Sequence, residues 1–130
     1  MTDPALPRAP ELTPETRPFW EAAAAGTLLI GQCTDCARPH YYPRRHCPHC
    51  GSAAVEWRAA GGGGTIYTFV PVARGPNGPF VAAYVTLDEG VSIMTHIVEA
   101  DPAALAIGQR VTLTFAPSDG GAPYPVFKPA

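Results

Sequence analysis

Lysine is almost missing from this chain: Lys128 stands alone beside eight arginines, and eleven acidic residues bring the 130-residue sequence to a net charge of −2. Proteins that follow a polynucleotide draw most of their affinity from neutralising phosphates, so the lack of a basic excess disfavours that class. No stretch approaches the ~20 apolar residues that a transmembrane helix needs. The opening Met-Thr-Asp-Pro has neither the basic head nor the apolar stretch of an export signal, which points to the cytoplasm. The glycine run at 61–64 has no Lys-Ser/Thr after it and no helix to cap a phosphate, so it is not a nucleotide loop. No Ser, His and carboxylate fall at a spacing that suggests a triad. The pair Asp88-Glu89 reads as turn residues, and His96, in mid-strand, reads as a partly buried structural histidine with its hydrogen bond satisfied. Nothing resembles a catalytic centre.

Cysteine is scarce too, but all of it is in one place. Cys33, Cys36, Cys47 and Cys50 form two Cys-x-x-Cys pairs ten residues apart, in the run CTDCARPHYYPRRHCPHCGS. A structural Zn²⁺ takes four thiolates at the corners of a tetrahedron, and each tight knuckle presents two of them. Four thiolates leave no open position for a reacting ligand, so a zinc here is scaffolding. Iron in the same cage, disulfides and a redox dithiol are the competing readings. Metal-bound cysteines agree with a reducing compartment. Gly51 follows the second knuckle, where a positive φ suits glycine, whereas Ala37 stands at the equivalent place after the first. His40, His46 and His49 lie nearby and offer imidazoles that could replace a thiolate, but His46 and His49 neighbour a knuckle cysteine rather than match one and are read as surface residues.

The rest of the chain divides by pattern. Residues 1–13 are proline-rich and read as an extended arm. Residues 14–27 predict a short helix with Thr16 as cap, Pro18 in the first turn and Gly26 as terminator. Residues 28–60 predict the ribbon: LLIGQC into the first knuckle, HYYPR out of it, and VEWR as the closing strand. Residues 61–130 then give five strand-length segments rich in Val, Ile, Thr and aromatics, with a single helical turn, ADPAALAIG, between the third and fourth. The glycine run is read as a hinge or a bent, bulged strand entrance. That element order is that of an OB-type barrel, whose closure leaves no open sheet edge.

The combination of the Phe-Trp helix FWEAAAAGTL, the paired knuckles, Trp57-Arg58 before the glycine run and the LDEG turn at 87–90 resembles one family. It is similar to the zinc-ribbon/OB-fold accessory proteins of acyl-CoA enzymes, from about Thr16 to the C-terminus. The resemblance implies a mainly β protein: an N-terminal helix, a rubredoxin-like zinc ribbon and a five-stranded OB-fold barrel. It implies a non-catalytic subunit with one structural zinc per chain, bound to a thiolase of the sterol-carrier type, or to a related aldolase or enoyl-CoA hydratase. CoA carries a 3′-phosphate and a diphosphate, for which guanidinium groups are good partners. Arg44 and Arg45 are the first candidates for that contact, made together with the partner enzyme, and Arg38 and Arg58 the next. Phe19 and Trp20, adjacent on the helix, predict one ring on the chain's own body and one on a partner. Tyr41 and Tyr42 are candidates for a partner or for adenine, against packing on the ribbon itself. The rival class is a single-stranded nucleic-acid binder, which requires a basic groove with exposed aromatics on the barrel; the C-terminal half is instead acidic.

Overall fold

The computed structural model describes residues 7–42, 44–76 and 78–130. Pro43, Asn77 of the expected 75–78 turn, and residues 1–6 of the expected arm lie outside them. From Pro7 onward the arm is tied down on the barrel: Arg8 bridges Asp119, and the Tyr124 hydroxyl donates to the Arg8 carbonyl.

The first helix, α1, covers Arg17–Ala24. Pro18 sits in its first turn as expected, but Thr16 makes no capping bond to the helix; its hydroxyl pairs with Thr13 instead. Gly26, at φ +87°, lets the chain leave the helix and enter β1, Leu29–Cys33. A three-stranded antiparallel sheet follows, with β1 in the centre between β2, Pro39–His40, and β3, Val55–Ala59. Of the expected strand over HYYPR, only His40 among the described residues is in a strand, and β2 starts one residue before it.

Five more strands close a barrel in the order β4-β5-β6-β8-β7: β4 Gly63–Val72, β5 Phe80–Leu87, β6 Ser92–Ile97, β7 Arg110–Ala116 and β8 Tyr124–Pro129. One turn of 3-10 helix, Pro102–Ala104, lies between β6 and β7 and is capped by the Asp101 side chain. In β6 every second residue is buried, so Ile93, Thr95 and Ile97 point inward while Ser92, Met94 and His96 point out. The barrel strand that begins at the glycines does bulge, but farther along, between Ile66 and Thr68. The glycines serve close approach instead. A β-carbon at Gly64 would stand 2.6 Å from Val85 Cγ1 and 3.1 Å from the Thr86 carbonyl.

Helix, ribbon and barrel share one core. Phe19, Trp20, Leu28 and Ile30 pack in the same cluster as Ile66, Val85, Ile93, Val111 and Phe127. Phe19 is wholly buried and Trp20 nearly so, which corrects the expectation that one ring is free for a partner. The two side chains do diverge, but a neighbour arrives on each side. Tyr42 from the ribbon meets Phe19 edge-on at 4.9 Å, and Tyr124 from β8 meets Trp20 edge-on at 5.4 Å. The Trp20 indole N–H donates to the Tyr42 hydroxyl at 2.8 Å. Tyr41 and Tyr42 are thus half-buried and packed at the helix–ribbon junction. Burial also pushes the Tyr41 phenol up to about 12.

The lead-in to the barrel is clasped by the 87–90 turn. Glu89 accepts the Gly61 N–H at 2.8 Å, the Asp88 N–H reaches the Gly63 carbonyl, and Arg110 holds Asp88 through two hydrogen bonds. The acidic pair is therefore more than a turn: it fixes where the ribbon hands over to the barrel.

Candidate metal centre

Each knuckle is a tight turn stabilised by amides pointing at sulfur. The Cys36 N–H approaches Cys33 Sγ at 3.4 Å, and the His49 N–H approaches Cys47 Sγ at 3.3 Å. β1 delivers Cys33 and the segment after β2 delivers Cys47, so the sheet brings the two knuckles face to face. Gly51 leaves its knuckle at φ +78°, and Ala37 leaves the other at φ +62°, in the left-handed region that costs any residue with a β-carbon.

All four Sγ atoms lie within 4.8 Å of one another; Cys33–Cys50 and Cys36–Cys47 are each 3.6 Å apart. A tetrahedron with Zn–S bonds of about 2.3 Å has edges of about 3.8 Å, so the sulfurs already stand where one metal would take all four. The thiols compete for charge. Burial opposes ionisation of Cys47, but the Cys50 and His49 amides and the neighbouring thiols outweigh it and draw it down to about 6. At Cys50 the Ser52 amide favours the thiolate, yet burial and three crowded sulfurs push it up to about 12. A dication relieves that crowding by replacing the protons, and it supplies the link that holds the two arms of the hairpin together. The three nearby histidines stay out of the cage. His49 is exposed with Nε2 3.3 Å from the Pro39 carbonyl, His46 is exposed, and His40 is buried beneath the sheet.

The four arginines do not form one cluster. Arg38 and Arg44 line a cavity of about 450 Å³ with His40, His49 and Ser92. Arg45 lines a second cavity of about the same size, shared by Arg44, which also contains Glu15 and Glu56; its N–H donates to the Glu15 carboxylate. Arg58 reaches across to Gln32 on β1 at 3.3 Å.

Two features were not legible in the residue pattern. His40 is sealed in the sheet, and the only trace of that is a glycine, Gly31, paired opposite it in the register. The barrel also carries an apolar outer face, where Tyr84 pairs across strands with Met94, and Tyr67 and Val70 are exposed on β4. His96 belongs to this outer face rather than to the interior, stacked on Phe80 at 4.7 Å. The exposed aromatics that a nucleic-acid binder needs are therefore present on this face.

Two domain families match in tandem: the ChsH2 rubredoxin-like zinc ribbon domain over residues 20–56 and the ChsH2 C-terminal OB-fold domain over residues 57–116. A DUF35 domain-containing scaffold protein of Methanocaldococcus jannaschii is 30% identical over 103 residues, 74% of this chain and 73% of that one. The chain belongs to the DUF35 family of zinc-ribbon/OB-fold proteins. A probable enoyl-CoA hydratase alpha subunit of Thermomonospora curvata is 35% identical over 117 residues, 86% of this chain. This DUF35 chain spans only 37% of that subunit's length. Among solved structures, a chain of the Ltp2-ChsH2(DUF35) aldolase superposes with a TM-score of 0.82 at 31% identity, covering 92% of this chain and 98% of that one. With the family's rubredoxin-like ribbon matched and four sulfurs gathered, the centre is that of a structural zinc. No helix among the described residues is long and apolar enough to cross a membrane.

Proposed function

We propose that this DUF35 protein is a non-catalytic accessory subunit that binds and stabilises an acyl-CoA enzyme making or breaking carbon–carbon bonds, of the thiolase or aldolase type. One observation carries the reading: the chain matches nearly the whole of one chain of the Ltp2-ChsH2(DUF35) aldolase. The physical chemistry supports it. Four thiolates leave a metal no open position, and Phe19, Trp20, Tyr42 and Tyr124 are taken up in joining helix, ribbon and barrel. The surface carries, besides Leu12, Trp57 and Ile107, the apolar face of β4–β6 with Tyr67, Val70, Tyr84 and Met94, a suitable seat for a larger subunit. The hydratase alpha subunits join a matching segment to a longer chain, which supports a hydratase as the second reading of the partner. Arg44 and Arg45 at the ribbon surface are the residues proposed to approach CoA phosphates within such a complex, with Arg38 beside Arg44. Arg58, turned to Gln32, is the weakest of the four for that role.

The test is co-expression with a thiolase-like acyl-CoA enzyme from the same genome. A single species in gel filtration containing both chains is expected, and Met94→Glu with Tyr84→Arg should split it while leaving zinc content unchanged. Two independent peaks from the unaltered pair, or thioester turnover by this chain alone, would refute the reading.

A further inference from the structure

We propose that β3, the free edge of the ribbon sheet, is a pairing surface for a second copy of this chain. The Val55–Ala59 strands of two molecules join antiparallel about a twofold axis at Trp57. The sheet runs β2-β1-β3, so one side of β3 is bonded to β1 and the other has no strand beside it among the described residues. Glu56, Trp57, Arg58 and Ala59 are all exposed. This edge belongs to the ribbon and leaves the β4–β6 face free, so the pairing does not rest on any enzyme partner.

The ladder to β1 decides which backbone groups are available. The Thr34 N–H donates to the Ala54 carbonyl and the Ala60 N–H to the Leu28 carbonyl, and these bonds bracket a register that pairs Cys33 with Val55 and Leu29 with Ala59. In an antiparallel pair alternate residues turn both backbone groups to the same neighbour. Residues 54, 56, 58 and 60 therefore face β1, while Val55, Trp57 and Ala59 face outward. The Val55 N–H is taken by the Ala53 carbonyl, which leaves the Trp57 and Ala59 N–H groups and the carbonyls of all three residues for a neighbour. A twofold axis at Trp57 lets the two Trp57 residues exchange both bonds. It also brings each Ala59 N–H to the Val55 carbonyl of the other copy, without disturbing a bond inside either chain.

The side chains select this register and name the occupant. Glu56 and Arg58 flank Trp57, so each Glu56 stands opposite Arg58 of the second copy, on one face of the joined sheet. Moving the axis to Glu56 sets two carboxylates against each other, and moving it to Arg58 sets two guanidiniums, so like charge opposes both neighbouring registers. Neither group is committed within its own chain. The ion pairs among the described residues, Arg110–Asp88 and Lys128–Glu99, lie elsewhere, and Arg58 meets only the neutral amide of Gln32 at 3.3 Å. The two Trp57 rings, each 41% exposed in the single chain, meet at the axis as an aromatic cross-strand pair. A strand that is its own complement in charge is satisfied by a second copy of itself. The pairing also closes: both β3 edges are used, and the opposite edge of the sheet, β2, is only two residues long.

The experiment is sedimentation equilibrium of the zinc-loaded full chain over about a hundredfold range of concentration, because so short a strand makes an interface of the small, transient class. A reversible monomer–dimer equilibrium is expected, with exchange of the Trp57 and Ala59 amide protons slowed as the dimer forms. Glu56→Arg and Arg58→Glu, both at exposed positions, each set like charges opposite one another at both sites and should each weaken association about tenfold or more. An equimolar mixture of the two variants should regain it, since the two reversals then face each other with opposite charge. Met94→Glu, on the outer face of the barrel, should leave the dissociation constant unchanged. A chain that stays monomeric throughout would overturn the proposal and assign the edge to a strand of a different protein. A dimer indifferent to Glu56→Arg, a mixture that fails to associate, or a dimer lost on Met94→Glu would overturn it as well.

Discussion

The two knuckles offer a controlled exchange, because they place alanine and glycine at equivalent positions with nearly the same backbone. Ala37 holds φ +62° and Gly51 φ +78°. An L-residue in the left-handed region costs roughly 1–2 kcal/mol. Glycine escapes that cost but gives back about 0.5–1 kcal/mol through the greater freedom of its unfolded chain. The balance for Ala37→Gly is therefore a gain of about 0.7 kcal/mol, and Gly51→Ala should lose about the same. Sterics do not confuse the second variant, since a β-carbon at Gly51 meets nothing within 4 Å.

Folding of so small a ribbon is coupled to its metal, so the change should appear in metal affinity. About 0.7 kcal/mol is roughly threefold in an equilibrium constant. Competition against a chelator of known affinity should show Ala37→Gly binding zinc about threefold tighter and Gly51→Ala about threefold weaker. In excess zinc the melting temperature should move by about 2–3 °C in the same directions, from the entropy of unfolding a chain of this length. The decisive feature is the opposite sign. If Ala37→Gly weakens the site, or if Gly51→Ala is silent in both assays, the left-handed backbone is not what the glycine provides.

Three further outcomes follow from the packing. Phe19→Ala removes a wholly buried ring that touches Trp20 and Tyr42, and should cost about 3–5 kcal/mol in denaturant unfolding; a loss below about 1 kcal/mol would mean the helix is not part of the core. Gly64→Ala drives a methyl against Val85 and the Thr86 carbonyl, so a loss of about 1–3 kcal/mol is expected, and a neutral result would show that the β4–β5 contact is looser than described. Arg110 holds the Asp88 carboxyl below its usual value through hydrogen bonds first and charge second. A depressed folded-state pKa contributes stability above the unfolded value near 4, which is lost as the pH falls through the lower folded one. Asp88→Asn should therefore flatten the loss of stability below pH 4, and an unchanged acid limb would count against the clasp at the barrel's lead-in.

Residue spacing carried the architecture as far as local rules reach. The cysteine spacing pointed to a two-knuckle cage because that is a property of a few consecutive positions, whereas His96 in SIMTHI, read as partly buried, stands on the outer face of its strand. The element order of the barrel was legible for the same reason. What escaped was every outcome decided by a residue distant in the chain. Adjacent Phe19 and Trp20 had to diverge, but their spacing holds no sign that Tyr42 and Tyr124 would come to cover both. Arg44 and Arg45 are neighbours, yet Arg44 borders both cavities and Arg45 only the one that also holds Glu15 and Glu56.

His40 shows the same limit. In sequence it is one of three histidines beside the knuckles, equivalent to His46 and His49. Only the pairing of Pro39–His40 with β1 turns its ring inward over Gly31, and only the return of the barrel's 87–92 turn places Ser92 at the rim. A cavity lined this way, a notch between the ribbon and the 87–92 turn, has no motif, since its members come from two modules whose junction is set by Phe19, Trp20 and the Glu89–Gly61 bond. It follows that changes at the junction should disturb the notch before they disturb the metal. Glu89→Gln, which keeps the shape but weakens the charged acceptor for the Gly61 N–H, should shift the His40 ring signals while zinc stoichiometry stays at one per chain. Ring signals unmoved by that substitution would mean that the two modules are held in register without the turn, and that the notch belongs to the ribbon alone.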